Sequence, residues 1–492
     1  MTVPVARPRG RPVAVLMILG AVAYANTFSG VFQFDDVASI LRDPRLGDPG
    51  TFLTHLAGTI RPFLKLTFFA DRQLWGESPA GYHLLNLLLH LGSGLLIYAI
   101  LARLVNEAAP RPAADSAASV PFWAALLFLV HPVGTETVTY LSGRATGLMA
   151  FFYLAGFHLY LRASSAVTAS RLSGAYAGAI GCFVLALLSK ETAVTLPAAL
   201  LLAELVIRAR RGDALRAVFL RLHSPFWAVL LLFLAAAAIH PRYAYLFEFS
   251  LGLRPLYENL LTQVNVVAYA LVLFFAPARL NFEHDLPSYG AVVAWPTPAA
   301  LALLLGLVAL AVVRARKNPL PAFGILWFFL QLLPANSVLP RYDLLSERNL
   351  YLPAAGLCLA LVSLWFAFTG RLRESFEDRR AIFAAKALGF LPLAVVPLLI
   401  TATLARNALY ADPIVFWSDA VAKSPEKARP RVNLGHAYYL AGDVERAIEQ
   451  FRIALTLDRD NPVAQANMRA AWALKSRPGT GSTHDDGFAV VE

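Results

Sequence analysis

Charged residues are scarce in this chain of 492 residues. They make up 15% of the sequence, whereas hydrophobic residues make up 58%. Soluble globular domains carry about 25% charged residues, so this composition excludes an ordinary soluble protein. Cysteine is rarer still: only Cys182 and Cys358 occur, both inside apolar segments. The sequence therefore contains no disulfide framework and no cysteine-based metal cluster.

The net charge is +11, which raises the question of a nucleic-acid partner. No soluble basic domain or aromatic-basic surface accompanies this charge, so we predict no nucleic-acid binding. Much of the Lys and Arg flanks apolar segments instead, which is typical of the positive-inside orientation of membrane helices.

Apolar runs long enough to cross a bilayer recur between residues 12 and 405. A crossing needs about 20 residues, and a helix satisfies its own backbone hydrogen bonds in lipid. We therefore predict an all-α, polytopic membrane domain over residues 13–405, with about eleven transmembrane helices. The predicted spans are residues 13–32, 83–102, 120–132, 146–161, 173–188, 192–207, 224–240, 298–313, 320–334, 350–368 and 386–405.

Alternating crossings place the basic N-terminus, residues 1–12, in the cytoplasm together with the Arg and Lys clusters near residues 103, 208–211, 314–317 and 371–373. An additional apolar run, residues 264–280, would upset this alternation, and we interpret it as a re-entrant or juxtamembrane helix. The first segment also resembles a signal peptide with a potential cleavage site at Ala23-Tyr24-Ala25, but we expect an uncleaved anchor.

Two segments lie outside the predicted spans on the external face. Residues 34–81 form the first external loop, and apolar residues at helical spacing between residues 52 and 64 predict a helix on the membrane surface. Residues 412–475 fit about one and a half tetratricopeptide repeats, a short stack that we expect to pack on the membrane domain or on a protein partner. The tail, residues 476–492, is predicted to be disordered.

The most informative motif is FQFDDVASI, residues 32–40, which sets Asp35 and Asp36 directly after the first span. Aspartates after a helix are common in turns and caps, so the pair alone is a weak signal. Ionisable groups also recur at the external ends of other spans, where charge is costly unless function requires it. The candidate substrate-binding residues are Arg61, His83, His131, Glu136, Arg144, Lys190, Glu191, Arg341, Arg348 and Tyr351.

This external rim of cations opposes the positive-inside trend and therefore predicts an anionic partner. A polyprenyl phosphate-sugar fits, because its phosphate lies at headgroup depth while its tail stays in membrane lipid. We expect phosphate ligands among the cations, which would stabilise the departing phosphate, and either Asp35 or Asp36 as the base that takes a proton from an acceptor hydroxyl. The expected phosphate ligands are Arg61, Arg144, Lys190 and Arg348. The second Asp could orient the acceptor or hold a divalent metal, although two carboxylates alone do not require one.

The same motifs resemble, in order, those of the membrane O-mannosyltransferases that combine a C-type glycosyltransferase (GT-C) fold with tetratricopeptide repeats (TMTC-like). The matching segments are FDD at residues 34–36, RP at 61–62, YHLLNLLLH at 82–90, HPVGTETVTYLSGR at 131–144, LLSKET at 187–192 and ERNLYLP at 347–353. The resemblance implies a GT-C type membrane domain with the repeats on the side of the active site. It also implies a catalytic acid pair, a polyprenyl phosphate sugar donor with mannose as the candidate sugar, and a protein Ser or Thr acceptor. The short repeat segment departs from the family and leaves a glycan acceptor open.

We therefore predict inverting glycosyl transfer in a single displacement at the external face of the membrane. Ala-rich, Arg-rich composition with short loops favours a bacterial inner membrane over the endoplasmic reticulum. A transporter or flippase for a lipid-linked sugar would have charges near mid-membrane and internal pseudo-symmetry, and neither pattern is found. A non-catalytic assembly protein would leave the acid pair and the external cations unexplained.

Overall fold

The computed structural model describes residues 10–56, 58–108, 114–164, 169–209, 212–375, 388 and 391–476. Every regular element in these ranges is a helix, which confirms the predicted all-α class. The predictions for residues 1–9, for Arg210 and Arg211, and for the tail from residue 477 lie outside the described residues.

The first half of the membrane part is a bundle in which α4, the longest helix, packs against α1, α5 and α7. The helices of this half are α1 (Gly10–Ala23), α2 (Pro49–Leu56), α3 (Pro62–Trp75), α4 (Pro79–Ala108), α5 (Ala114–Val130), α6 (Thr135–Val138), α7 (Arg144–Ala163), α8 (Ala169–Ser189) and α9 (Leu196–Val206).

In the second half, α15 and α16 pack closely together, and α16 also contacts α5 of the first half. Gly324 and Gly356 face each other where α15 and α16 cross, and a Cβ on either would lie 2.4 Å from the other's carbonyl oxygen. The helices are α10 (Gly212–Val218), α11 (Ser224–Ile239), α12 (Pro241–Leu253), α13 (Leu256–Phe275), α14 (Thr297–Arg314), α15 (Pro319–Leu332), α16 (Tyr351–Ser375) and α17 (Leu391–Ala408).

Within the described ranges, seven helical segments are long and apolar enough to cross a membrane. They are Gly10–Ser29, Pro79–Ala108, Leu215–Ile239, Leu256–Phe275, Thr297–Arg314, Glu347–Leu372 and Leu391–Ala411, and shorter apolar helices occupy Ser119–Val130, Gly174–Ser189 and Pro319–Leu332. The chain is thus a multi-pass membrane protein. The helices α7 and α9 also lie at predicted spans, but the count of about eleven crossings stays a prediction.

The apolar run at residues 264–280 forms most of α13, which is long enough to cross a membrane. Both ends of α13, however, contact loops that the predicted topology sets on the external side, with Asp35. Near its start, the Asn259 amide donates to the Ser337 carbonyl oxygen at 2.9 Å, and near its end His131 Nε2 lies 3.0 Å from the Phe274 carbonyl oxygen. These contacts agree with the juxtamembrane interpretation, which stays a prediction.

The first external loop contains two helices, α2 and α3, where the sequence predicted a single helix over residues 52–64. Arg61 separates them and adopts a left-handed conformation with φ 57°. Pro62 begins α3, and because the residue before a proline is sterically disfavoured in the α-helical region, the helix is interrupted at Arg61. The apolar faces of both helices still pack inward, with Phe52, Leu64 and Phe68 in one cluster with Tyr82.

Four helices follow the membrane part: α18 (Pro413–Lys423), α19 (Ala428–Leu440), α20 (Val444–Leu457) and α21 (Pro462–Lys475). We call them the C-terminal stack. Each packs on the next, and Gly435 leaves room for the Phe451 ring, because a Cβ at Gly435 would lie 2.6 Å from it. The helices fill the predicted range of residues 412–475, while their assignment to tetratricopeptide repeats stays a prediction.

The C-terminal stack packs directly on the membrane part. Phe416 and Trp417 of α18 share a buried cluster with Tyr140 and Tyr410, and Phe34 and Phe282 pack against it. This contact confirms one of the two packing alternatives expected from the sequence. It also places the stack beside the turn that carries Asp35 and Asp36.

Candidate active site

The turn that carries the two aspartates begins with an unusual backbone conformation. Phe34 has a φ of 47°, a left-handed value that costs energy for any residue with a bulky side chain. Its ring packs edge-on against Phe282, with centroids 5.8 Å apart, and against Trp417, with centroids 5.7 Å apart. Packing thus stabilises this strained turn. The side chains of Asp35 and Asp36, which follow Phe34, lie in different surroundings.

Asp36 is completely buried, and the protein itself occupies both of its carboxylate oxygens. Oδ1 accepts hydrogen bonds from the Ser142 N–H at 2.7 Å and the Ser142 hydroxyl at 2.5 Å, while Oδ2 accepts one from the Gln33 N–H at 3.0 Å. Burial raises the pKa of Asp36 to about 7, although the hydrogen bonds from Ser142 and Gln33 oppose the rise. Through its hydrogen bonds with Ser142, Asp36 therefore fixes the turn against the segment before α7.

Asp35 is partly exposed, and its carboxylate forms no ion pair among the described residues. Burial raises its pKa, while the positive charge of Arg348, a hydrogen bond with Tyr140 and the charge of Arg429 oppose the rise. A carboxylate that is accessible, unpaired and of raised pKa has the properties of a general base. The structure thus distinguishes two aspartates that the sequence left equivalent.

Lys190 lies in the turn after α8 and is only 6% exposed. Its ammonium group donates to the Thr146 hydroxyl at 2.8 Å and to the Asn349 side-chain oxygen at 3.1 Å. Both partners are neutral. Burial lowers the pKa of Lys190 well below its usual value, and the nearby charges of Arg348, Arg61 and Arg341 lower it further. A buried cation without a counter-ion is costly, so this position favours an anionic ligand.

Arg61 has its own counter-ion, Glu191. The guanidinium donates to both carboxylate oxygens, at 3.0 Å from Nε and 2.8 Å from Nη2, and the Tyr243 hydroxyl donates to the same carboxylate at 2.9 Å. Burial alone would raise the pKa of Glu191, but Arg61 lowers it to about 2. Glu191 is therefore ionised and neutralises Arg61.

Arg348 is held from one side by the buried Glu136. The carboxylate accepts hydrogen bonds from the Arg348 N–H at 2.9 Å and the Ser346 hydroxyl at 2.9 Å, and it lies 3.5 Å from Arg348 Nε. Burial raises the pKa of Glu136, against the opposing charge of Arg348. The Arg348 guanidinium also lies 5.8 Å from the centre of the Tyr140 ring. The charge of Arg348 thus acts on both Asp35 and Lys190.

Lys190 and Arg348 line one small cleft, which we call the Lys190 cleft. Its polar wall is completed by Thr146, Asn349 and Gln331, and Met149 and Leu352 contribute apolar surface. Arg341 is exposed, and its side chain has no hydrogen bond or ion pair among the described residues. Its charge lowers the pKa of Lys190. The cleft therefore combines positive charge with apolar surface, as an anionic lipid headgroup requires.

Arg144 does not fit the predicted role of phosphate ligand. Its side chain is completely buried, and its guanidinium lies 2.5 Å from Asp71 Oδ2. It also donates to the Asn86 side-chain oxygen at 2.8 Å and the Tyr82 carbonyl oxygen at 2.9 Å. With these contacts and the Phe68 ring at 4.6 Å, the Arg144 cluster is a structural unit that leaves no room for a ligand.

Three further predicted ligands, His83, His131 and Tyr351, are buried and hold elements of the bundle together. His83 Nε2 lies 3.2 Å from the Gly30 carbonyl oxygen, and His131 bonds to Phe274 as described above. The Tyr351 hydroxyl lies 2.8 Å from His90 Nδ1. None of the three lines the Lys190 cleft, so direct substrate contact does not fit them.

Among the described residues, no third His, Cys, Asp or Glu side chain forms a metal-binding group with the two aspartates. Across the described residues, no group of three or more His, Cys, Asp or Glu side chains could hold a metal ion. Asp36 already accepts hydrogen bonds from Ser142 and Gln33.

Sequence reasoning missed several side chains that surround the candidate site. Tyr140 and Ser142 lie inside the recognised motif HPVGTETVTYLSGR, but only the ionisable residues of that motif were selected. Arg429 and Tyr243 come from segments that carried no motif. Arg429 is a basic residue at the start of a C-terminal helix, and Tyr243 is an aromatic residue just after a predicted span. Neither pattern predicts a contact with the candidate site.

Comparison with known proteins adds independent information. The chain is 24% identical over 472 residues to protein O-mannosyl-transferase F38B6.6 of Caenorhabditis elegans, covering 91% of the chain and 63% of that protein. It is 27% identical to protein O-mannosyl-transferase Tmtc3 of Drosophila melanogaster, covering 91% and 55%, and 25% identical to TMTC4 of Homo sapiens, covering 88% and 65%. The chain is similar to the TMTC protein O-mannosyl-transferases. The resemblance expected from the motifs is thus confirmed.

The chain spans between 55% and 65% of the length of these relatives. No protein-family model matches it. Among solved structures, it is similar to ArnT from Cupriavidus metallidurans bound to undecaprenyl phosphate, with a TM-score of 0.39 and 14% identity, covering 94% of the chain and 77% of ArnT. A likeness this distant adds nothing to the argument from the residues.

Proposed function

We propose that the chain is a GT-C type glycosyltransferase that transfers a sugar from a polyprenyl phosphate-linked donor to an acceptor hydroxyl. The observation that carries this proposal is the Lys190 cleft, where a buried ammonium group and Arg348 stand together and Lys190 has only neutral partners. The similarity to named protein O-mannosyl-transferases supports mannose as the sugar and a protein Ser or Thr as the acceptor.

In this proposal the donor phosphate binds against Lys190 and Arg348, with the charges of Arg61 and Arg341 nearby. When the bond between the anomeric carbon and the phosphate oxygen breaks, negative charge grows on the departing polyprenyl phosphate. Cations that are already in place stabilise this charge without reorganisation, and the low local dielectric strengthens their effect. The leaving group therefore needs no proton from the protein.

The acceptor hydroxyl attacks the anomeric carbon from the opposite face, and Asp35 takes its proton. A single displacement of this kind inverts the configuration at the anomeric carbon. Arg348 helps to keep Asp35 ionised and also lines the cleft for the phosphate, so one side chain serves both halves of the reaction. Asp36, fixed by Ser142, sets the position of the turn.

The reaction would take place at the external face of the membrane, which is the periplasmic face in a bacterial inner membrane and the luminal face in the endoplasmic reticulum. Trp417 of the C-terminal stack contacts Phe34, so the stack lies beside Asp35. This position suits a segment that presents a protein acceptor to the active site.

The test is transfer by the purified full chain from radiolabelled polyprenyl phosphate sugars, with mannose first, to a pool of external proteins or glycans. We expect Lys190→Met to lower transfer by about a hundredfold, the loss typical of one electrostatic group in a transition state. Arg314→Met, at the predicted cytoplasmic end of α14, is the matched control and should keep full activity. The absence of transfer by the unmodified protein from every donor would contradict the proposal.

A further inference from the structure

Arg429, near the start of α19, reaches from the C-terminal stack to the aspartate turn. Its side chain is 9% exposed, and its guanidinium pairs with both Glu283 and Asp343. The same guanidinium lies 5.6 Å from the centre of the Phe34 ring and 4.8 Å from that of Tyr342. One side chain of the stack thus contacts the residue that precedes Asp35.

We propose that Arg429 is a positioning residue for Asp35, so that the C-terminal stack completes the active site of the membrane part. The inference rests on the proposed function, in which Asp35 is the base. It assigns a role in the chemistry to a segment that the sequence suggested only for packing or partner binding.

Lys427 provides an internal comparison, because it makes the ion pair without the aromatic contact. Its ammonium group lies 2.9 Å from Glu283 Oε2, yet it contacts no aromatic ring among the described residues. If the stack needed only an ionic attachment, Lys427 would supply it. Arg429 adds a cation over the ring of Phe34, the residue with left-handed backbone, and such contacts stabilise the ring in that position.

Glu283, the partner of Arg429, is itself fixed by the stack. The Ser424 hydroxyl donates to the Glu283 carbonyl oxygen at 2.5 Å, and the Asn281 amide donates to the Ser424 oxygen at 2.9 Å. Asn281 also donates its backbone N–H to Glu347 at 2.5 Å, next to Arg348 in the chain. Buried hydrogen bonds thus connect the C-terminal stack to Glu283, the partner of Arg429, and to Glu347, the neighbour of Arg348.

The charge of Arg429 also acts on Asp35. Asp35 is faced by Arg348 and Asp343 from the loop before α16, by Tyr140 from the segment before α7 and by Arg429 from α19, with Asp36 adjacent in the chain. Since Arg429 lowers the pKa of Asp35, its removal should raise that pKa. A smaller fraction of Asp35 would then be ionised, and transfer would be lost at a higher pH as the solution is acidified.

The experiment uses the full chain with Arg429→Met, Arg429→Gln, Arg429→Lys and the control Lys427→Met. It measures transfer as a function of pH and, independently of activity, the infrared titration of the Asp35 carboxyl group, assigned by subtracting the spectrum of Asp35→Asn. We expect the two neutral variants to lower transfer about tenfold and to raise both midpoints by about one pH unit, the effect of one nearby charge. Arg429→Lys should keep the titration midpoint, and Lys427→Met should keep both properties.

The inference is overturned if a folded neutral variant titrates Asp35 at the pH of the unmodified protein, even if transfer falls. Arg429→Gln keeps hydrogen-bond donors for Glu283 and Asp343, so it serves if Arg429→Met does not fold. If the unmodified protein transfers no sugar but the carboxyl midpoint still rises in the neutral variants, the proposed function fails and the positioning role stands.

Discussion

The Arg144 cluster and the Lys190 cleft lie at the same end of α7 and differ in one respect. Arg144 begins α7 and pairs with the buried carboxylate of Asp71. Thr146, two residues later, accepts a hydrogen bond from the ammonium group of Lys190, which has no carboxylate partner. Both cations lie in motifs that resemble those of the TMTC-like family, and the sequence alone does not distinguish them. Of these two cations, only Lys190 lacks a carboxylate partner, and this makes it the better candidate for an anionic ligand.

The largest expected effect concerns the stability of the two sites. Arg144→Met leaves the Asp71 carboxyl group buried without its cation, which typically costs about 3–5 kcal/mol. Lys190→Met removes a buried charge that has no counter-ion, so we expect no loss of stability. Equilibrium unfolding in detergent measures both. A stable Arg144→Met protein together with an unfolded Lys190→Met protein would reverse the assignment of the two sites.

A second expectation concerns the pH dependence of anion binding at the Lys190 cleft. Burial depresses the pKa of Lys190 in the free protein, and a bound phosphate would raise it again. At a pH between these two pKa values, Lys190 takes up one proton when the phosphate binds. The affinity for a polyprenyl phosphate should therefore fall about tenfold for each unit by which the pH rises.

Binding of a fluorescent polyprenyl phosphate across this pH range measures the effect. Lys190→Arg supplies the control, because an arginine stays charged throughout and should flatten the dependence. An equally steep loss of affinity in Lys190→Arg would show that another group titrates.

The smallest expected effect comes from converting Arg61 from a paired cation, like Arg144, into an unpaired one, like Lys190. Glu191→Gln removes the negative charge from the bidentate pair. Because the pair is partly exposed, its contribution is about 1 kcal/mol, and we expect the affinity for polyprenyl phosphate to rise about fivefold. Tyr243→Phe removes only a hydrogen bond to Glu191 and should change the affinity less than about threefold. Weaker binding by Glu191→Gln would mean that Glu191 itself contacts the ligand.

The fold class and most helix positions could be predicted from the sequence, because hydropathy over about 20 residues reflects the length needed to cross lipid. The break between α2 and α3 was missed, although Pro62 was visible, because helical spacing of the apolar residues continued across it. The left-handed conformation of Arg61 depends on that break.

At the candidate site, the sequence could identify the groups but could not assign their roles. Asp35 and Asp36 differ because Ser142, more than a hundred positions away, bonds to only one of them. Arg144 and Lys190 differ because Asp71 reaches only one of them. Arg429 was missed because its contacts with Phe34 and Glu283 cross between two parts of the chain. Each of these distinctions depends on a tertiary contact that spacing does not encode.

The assignment of Asp35 as the base is tested by comparing transfer by Asp35→Asn and Asp36→Asn at saturating donor and at the optimum pH of the unmodified protein. We expect Asp35→Asn to lower the rate by about 10²- to 10⁴-fold, the contribution of a general base, without changing the unfolding transition. Asp36→Asn should mainly lower stability, because it disturbs the hydrogen bonds with Ser142. Full transfer by Asp35→Asn would show that Asp35 is not the base, and complete loss of transfer in a stably folded Asp36→Asn protein would assign that role to Asp36.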